Sequence, residues 1–458
     1  MLVNPLDIFV FVSLTFLTLA YTIFLSKNNN SENISSYLIF SRKLTMPLFV
    51  STLVPTWYGD IFGITQIAFK IGLNATVLYV LGFYLSAILF AVFFVEKLKN
   101  TNVMTLPEII KEKYGTSSYK LVAIMILLKS LPISYVISIG LLINQLFGWS
   151  LNYSMIVGIS FVVACIGLRG LGGIVYSDVI QFIIMYLSII IVSIFSVRHY
   201  GGYSFLIKNF NKGSFFIEEN KNLSQTFVWF FIPIFTTFMS PIFYQRCFAA
   251  KNTEIAKKGI FISVLFWIIC DFCTISTSIY VKIIYPDVLP HEAYFKYSMN
   301  ILPFGLKGLF LSGMAATILS TLDSFLFISS STLTYDLLGE NFYKKQKYRI
   351  FSLIFAGFIT FILASHFIDD LDIFYKIVRS YCSITIGIPI ILSVLFEKLI
   401  SEKQFLYIVF ITCLLIATCD FYKVNLYVDN FYYSVLISLF VTLISIFFNR
   451  KRKIPLSC

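Results

Sequence analysis

Charge is what this sequence has least of. Only 13% of its 458 residues are Asp, Glu, Lys or Arg, against about a quarter in a soluble domain. Hydrophobic residues make up 58%, with 50 phenylalanines. The formal charge of +12 would have to be gathered on one solvated module to serve nucleic acid, and no stretch is polar enough to be one. Histidine is nearly missing: His199, His291 and His366 are the only three and have no ligand spacing, which removes the usual metal sites. The eight cysteines are scattered mainly through apolar stretches. Cys270 and Cys273 form a C-x-x-C inside one of them, where buried packing is the ordinary role. No Lys or Arg occurs in residues 1–26, so the first apolar block lacks the basic flank of a signal peptide, and it is too long for a signal peptide's apolar core. Strand-like alternation over about ten residues does not recur, which excludes a membrane β-barrel.

What is present in quantity is apolar helix. Blocks of about 18–25 residues, the length that crosses about 30 Å of hydrocarbon, begin near Leu6, Met46, Leu73, Tyr119, Leu151, Gly172, Thr226, Gly259, Pro303, Tyr348, Asp372, Gln404 and Tyr432. The fold class expected is an all-α polytopic membrane protein with about 13 transmembrane helices. Lys27 follows the first block, placing the N-terminus outside. With loops alternating from there, Lys97, Lys99, Lys111, Lys113, Arg246, Lys251, Lys344, Lys345 and Arg450 to Lys453 share the inner side. The expected location is the plasma (inner) membrane, with the C-terminus cytoplasmic. The longest loops, roughly 27–44, 98–118, 198–225 and 285–302, are too short for a catalytic module. No His or Cys cluster supplies a nucleophile, base or metal set. Function is therefore expected among the helices, and it is not enzymatic.

Two blocks are interrupted in matching places. Met46 to Lys70 contains "LVPTWYGD", with Pro55 and Gly59. Five blocks later, Thr226 to Ala249 contains "IPIFTTFMSP", with Pro233 and Pro241. Proline removes a backbone donor and crowds the preceding turn, so each segment is expected to kink or unwind. A matched pair of broken helices in two halves of five points to a transporter binding site, because irregular backbone survives in a membrane only where it lines a protein-walled or wet cavity.

The stretch "LSGMAATILSTLDSFLFISSSTLTYDLL" is long enough to span a membrane yet carries Ser320, Thr321, Asp323 and Ser324. Ser320, Asp323 and Ser324 share one helix face at i, i+3 and i+4, with Thr321 flanking. Small hydroxyls beside unwound carbonyls make a hard-oxygen site suited to an alkali cation. An intramembrane carboxylate is costly enough to be functional by default. Asp178, in "YSDVIQF", is a second buried carboxylate able to face this one.

With "YLIFSRKL", "TLPEIIKEKYG", "GLRGLGGIVYSDVIQ", "YQRCFAAKN" and "LPFGLKGLFLSGMAATILSTLDS" in this order, the chain resembles the sodium/solute symporter family of sodium/proline, sodium/galactose and sodium/sialic acid transporters. The resemblance runs from about residue 38 to 340 by motif and onward by helix count. It implies a five-plus-five inverted-repeat core of the leucine-transporter type. On this pattern residues 6–26 form an extra N-terminal helix, 45–197 the first repeat and 198–225 an outer loop. Residues 226–396 form the second repeat, 404–448 two additional helices and 449–458 a basic cytoplasmic tail. The coupling ion implied is sodium, held by the carbonyls of Leu53, Thr56 and Thr317 and the hydroxyls of Ser320 and Thr321. A second cation, a proton or a structural bond falls at Asp178, Asp323 and Ser324.

The solute pocket is expected between the breaks, around Trp57, Asp60, Tyr79, Thr236 and Thr237, with Arg379 on the eleventh block. Arg379 is placed either to clamp a carboxylate or to snorkel outward beside Lys376; Asp60 either meets the solute or pairs with Lys129 or Arg379. Proline stands at 55 and 233, where sugar- and proline-binding members carry polar groups, so neither substrate class transfers. A small carboxylate or zwitterion is mildly favoured. The partners expected are a small solute and the lipid bilayer, with no nucleic acid and no obligatory protein partner. The alternatives are a proton-coupled carrier using Asp178 and Asp323, and a non-transporting sensor on the same fold. Against the sensor, the chain ends in "RKRKIPLSC" with no kinase module.

Overall fold

The computed structural model describes residues 3–25, 33–59, 64–65, 67–69, 73–166, 170–209, 223–368, 378–396, 400–422 and 430–453. Among these, helix is the dominant structure and one isolated bridge is the only β-type pairing. The helices that matter here are α1 (Pro5–Leu25), α2 (Met46–Trp57), α3 (Leu73–Phe93), α4 (Leu106–Lys129), α5 (Ile133–Phe147), α6 (Leu151–Ile166) and α7 (Gly170–Tyr200). They continue with α8 (Leu223–Phe238), α9 (Pro241–Ala249), α10 (Thr253–Ile284), α11 (Leu306–Ser331), α12 (Gln346–His366), α13 (Thr385–Leu395), α14 (Glu402–Phe421) and α15 (Asn430–Lys453). Among the described residues eight helical segments are long and apolar enough to cross a membrane. Shorter apolar helices include Met46–Trp57 and Leu151–Ile166. The protein is an all-α polytopic membrane protein, as the block pattern predicts.

Burial sorts the helices into an axis and a lipid-facing shell. The most apolar window of the segment Leu306–Leu338, which holds α11, is 94% buried, whereas that of α1 is 6% buried. On α1, Phe9, Phe16 and Phe24 are 68%, 69% and 72% exposed, an apolar surface that only lipid accommodates. Besides Thr22, Asp7 is the exception on that helix. It is fully buried, and its carboxylate accepts from the backbone N–H of Gly305 at 2.6 Å and of Gly308 at 3.3 Å. One helix thus supplies the N-terminal cap of another, satisfying donors that a helix start leaves open. Gly308 permits the approach, since a Cβ there would lie 2.4 Å from the Asp7 carbonyl oxygen. Lower down, a Cβ on Gly313 would lie 2.2 Å from Ser188 Cβ of α7. That is the close contact small residues allow between membrane helices.

The two interrupted segments break where backbone geometry permits, slightly away from where the prolines suggest. Pro55 stays helical and α2 ends at Trp57; the Tyr58 N–H still bonds back to the carbonyls of Val54 and Pro55, each at 3.1 Å. Pro233 is carried inside a continuous α8, at the cost of one helical hydrogen bond. The break falls at Met239 and Ser240, and Pro241 opens α9 at the position where a missing N–H costs nothing. The halves are stitched beside the breaks. Leu44 N–H donates to the Ala249 carbonyl and Lys251 N–H to the Leu44 carbonyl, both at 3.0 Å, joining the entry to α2 with the exit from α9.

Candidate functional site

The open C-terminus of α2 abuts the middle of α11. Helix C-termini present unpaired carbonyls with partial negative charge, and here those carbonyls meet hydroxyls. Thr321 Oγ1 lies 3.0 Å from the Thr56 carbonyl oxygen, 3.3 Å from that of Thr317 and 3.5 Å from that of Pro55. Ser320 Oγ donates to the Thr317 carbonyl at 3.1 Å. All of these groups are buried. Of the expected sodium ligands, Thr56, Thr317, Ser320 and Thr321 are brought together. Leu53 is wholly buried one turn earlier, and the third carbonyl within reach of Thr321, after those of Thr56 and Thr317, is that of Pro55. Gly59 explains how the broken end can press so closely: a Cβ there would lie 1.8 Å from Thr321 Oγ1.

One layer away is a buried charged cluster. Thr52 Oγ1 donates to Asp178 Oδ2. Arg246 Nη2 donates to Ser324 Oγ at 2.7 Å and stands 3.7 Å from Asp178 Oδ2. Thr56 Oγ1 lies 3.4 Å from Ser324 Oγ, so this cluster touches the first oxygen group. Asp323 is buried beside both charged groups. Asp178, Asp323 and Ser324 are therefore neighbours, and a guanidinium lies among them. Arg246, which loop alternation assigns to the inner surface, is completely buried instead. It sits on α9, and its guanidinium reaches Asp178 of α7 and Ser324 of α11.

Between the two breaks lies a cavity of about 440 Å³. Its walls include Trp57, Tyr79, Phe83, Tyr135, Trp267 and Phe325. Trp57 packs edge-on against Phe83 and Phe243, with ring centroids 5.4 and 4.8 Å apart. Trp57, Tyr79 and Thr236 line the cavity. Thr237 does not; it is buried, donates to the Pro233 carbonyl at 2.9 Å and accepts from Ser86 Oγ at 2.7 Å. Asp60 lies outside the described residues. Arg379 is described only as backbone within the π-helix Val378–Ile384, so its side chain lies outside them as well.

A profile of the "Sodium:solute symporter family" matches residues 43–406. The chain belongs to that family. Among curated proteins it is 24% identical to Solute carrier family 5 member 4 of Rattus norvegicus over 77% of this chain and 60% of the relative. It is 24% identical to Sodium/glucose cotransporter 2 of the same species over 72% of this chain and 57% of the relative. The chain thus spans about three fifths of the length of these curated relatives. Its fold is that of a Na+-coupled sialic acid symporter solved in a substrate-bound outward-open state. The TM-score is 0.82 at 13% identity, over 98% of each chain. A manganese transporter of Eremococcus coleocola shares the fold more distantly, with a TM-score of 0.51 at 11% identity over 92% of this chain and 97% of that one. The membrane fold read from the family motifs is the one found, and the family and these relatives are transporters, not enzymes.

One charged residue of this family member escapes a reading of the sequence, and a second enters it only as a partner for Asp60. Asp271 lines the cavity on α10, accepting from Tyr58 Oη at 3.0 Å and also from Tyr84 Oη. Its signal was a carboxylate in mid-block, overshadowed by the C-x-x-C around it. Lys129, at the end of α4, also lines the cavity and donates to the Met239 carbonyl at 2.8 Å. The carbonyl freed at the second break is thus met by an ammonium, as those freed at the first are met by hydroxyls.

Proposed function

We propose that the protein is a secondary active transporter that couples inward sodium movement to uptake of a small polar solute, a carboxylate or zwitterion. The observation that carries this reading is the convergence of Thr56 and Pro55 carbonyls, from a helix end, on the Thr321 hydroxyl of an unbroken helix. A hydroxyl has two lone pairs as well as its proton. With its proton rotated away, Thr321 joins Ser320 and the carbonyls of Thr56, Thr317 and Leu53 or Pro55 as an all-oxygen sodium site. Sodium bridging α2 and α11 stabilises the state in which the solute pocket beside Trp57 is formed. Both leave inward as the repeats, residues 45–197 and 226–396, rock against each other. Coupling requires that sodium bind one of the two states better, since equal affinity shifts nothing. In this reading the protein lies in the plasma membrane, N-terminus outside and C-terminus cytoplasmic. Membership of the family and the sodium-coupled relatives support it.

A second reading is favoured by one observation in the charged cluster. Among the described residues Asp178 and Asp323 share one guanidinium, that of Arg246, and Asp178 Oδ1 and Asp323 Oδ1 have no hydrogen-bond partner. One negative charge is left for a proton or a second cation, so proton coupling through these carboxylates is the alternative.

The deciding experiment is the unfolding midpoint of the purified protein in sodium, potassium and choline chloride at matched ionic strength. A ligand at 100 times its dissociation constant stabilises the native state by about 2.7 kcal/mol. A sodium-selective rise is expected. Equal midpoints in all three salts would remove the sodium site and leave pH-driven uptake as the next test.

A further inference from the structure

We propose that the cavity between the breaks recognises an amphoteric solute, its ammonium against Asp271 and its carboxylate against Lys129. This rests on the transport reading of the same cavity and narrows it from small polar solutes to free amino acids of neutral side chain.

Among the described residues both charged groups are oriented and neither is in an ion pair. Asp271 is buried on α10, and each of its oxygens accepts one tyrosine hydroxyl, Tyr58 on Oδ1 and Tyr84 on Oδ2. Tyr58 is itself braced by Thr274 Oγ1 at 2.7 Å. A carboxylate taking a donor on each oxygen is oriented, and about two of its four lone-pair positions stay open. Lys129 has three N–H donors, of which the Met239 carbonyl takes one at 2.8 Å. Among the described residues neither group has an opposite charge within ion-pairing distance, although both line the same cavity. Charges inside a membrane protein are ordinarily paired with one another or face a polar path.

The chemistry of the solute follows from what would satisfy both ends. A simple carboxylate meets Lys129 but adds a second negative charge to the cavity of Asp271. An amine does the reverse. A neutral sugar can hydrogen-bond to either group but leaves both charges uncompensated. A zwitterion neutralises both without changing the net charge of the site. Aromatic rings, Trp57, Tyr135 and Phe325 among them, form much of the rest of the wall. The side chain of the solute is therefore apolar or small. A cavity of about 440 Å³ is within the range of small-molecule sites, which are mostly apolar with a few placed polar groups.

The test uses the full chain in lipid nanodiscs in saturating sodium chloride, with melting midpoint and titration calorimetry as readouts. The probes are neutral amino acids from glycine through L-proline and L-leucine to L-phenylalanine, the deaminated and decarboxylated analogue of each, and D-glucose. At least one amino acid is expected to bind tenfold or more tightly than either of its single-charge analogues and than the hexose. Asp271→Asn should erase the advantage over the deaminated analogue and Lys129→Gln the advantage over the decarboxylated one, while the sodium shift stays in both. Asp271→Glu, which keeps the charge, should keep the preference. The wild-type ratios carry the test even if a variant fails to fold. The proposal is overturned if D-glucose or a single-charge analogue binds as well as any amino acid. It also falls if the variants leave the ratios unchanged, or if sodium alone shifts the midpoint and no amino acid does. Sodium without effect, alongside the expected solute ratios, would sink the sodium-coupling reading and uphold this one.

Discussion

Gly59 and Thr321 meet with no room for a methyl group: a Cβ on the glycine would lie 1.8 Å from the threonine Oγ1. The residue just past the end of α2 is thereby pressed against the hydroxyl that its carbonyls face. Gly59→Ala is expected to displace the Thr321 side chain and weaken sodium affinity at least tenfold. A sodium titration of the melting midpoint measures it. Because the two residues touch, Gly59→Ala and Thr321→Ala should not add; the double variant is expected to bind sodium no worse than Thr321→Ala alone. Additive losses would mean that the contact is unrelated to the ion.

Loss of the hydroxyls themselves is the more direct probe. Ser320→Ala and Thr321→Ala each remove one oxygen from a group of five and leave the helix intact, since alanine is the best helix former. The sodium-selective part of the midpoint shift is expected to fall in both, with the midpoint in choline chloride almost unchanged. Undiminished sodium stabilisation in both variants would refute the site.

How much of this was legible in advance depends on how far apart in sequence the partners are. Ser320, Thr321, Asp323 and Ser324 could be read as one site because helical spacing alone puts them on neighbouring positions of α11. The first break could be read because Pro55 and Gly59 are four residues apart. Arg246 could not, since its partners Asp178 and Ser324 are far away in the chain. A cation a few residues before Lys251 looks like a loop charge until α9 is folded inward. Thr237 was misplaced by one helical step; its neighbour Thr236 faces the cavity while it turns to Ser86. The second break was placed between two prolines because a sequence does not tell which proline a helix will carry. Pro233 is carried, and Pro241 starts a helix.

The cap that Asp7 places on α11 predicts a stability effect without a functional one. Asp7→Ala removes the acceptor of three backbone N–H groups, two at the start of α11 on Gly305 and Gly308 and one on Asn4, in a buried place where water cannot replace it. The expected cost is about 1 kcal/mol, the usual worth of a helix cap. Asp7→Asn keeps an acceptor oxygen and should cost less. Neither variant should alter sodium affinity, because α1 supplies none of the oxygens around Thr321. A changed sodium midpoint would show that the position of α11 in the membrane is set from its N-terminal end.

Arg246 offers the sharpest test of the charged cluster, because removing it and removing its partner have opposite consequences. Arg246→Met leaves Asp178 and Asp323 buried with no compensating cation among the described residues. Breaking a buried pair from one side costs about 3–5 kcal/mol, so low yield and a depressed midpoint are expected. Asp178→Asn in the same chain takes away one of the stranded charges and should recover part of that loss, a non-additivity that a double-mutant cycle reads directly. The same pair of variants separates the coupling mechanisms. If the guanidinium only compensates charge, the double variant keeps sodium-selective stabilisation at Thr321 and shows no pH dependence of uptake beyond that of wild type. If Asp178 carries a transported proton, Asp178→Asn alone abolishes pH-driven uptake while the sodium shift persists, and the compensation reading gives way to proton coupling.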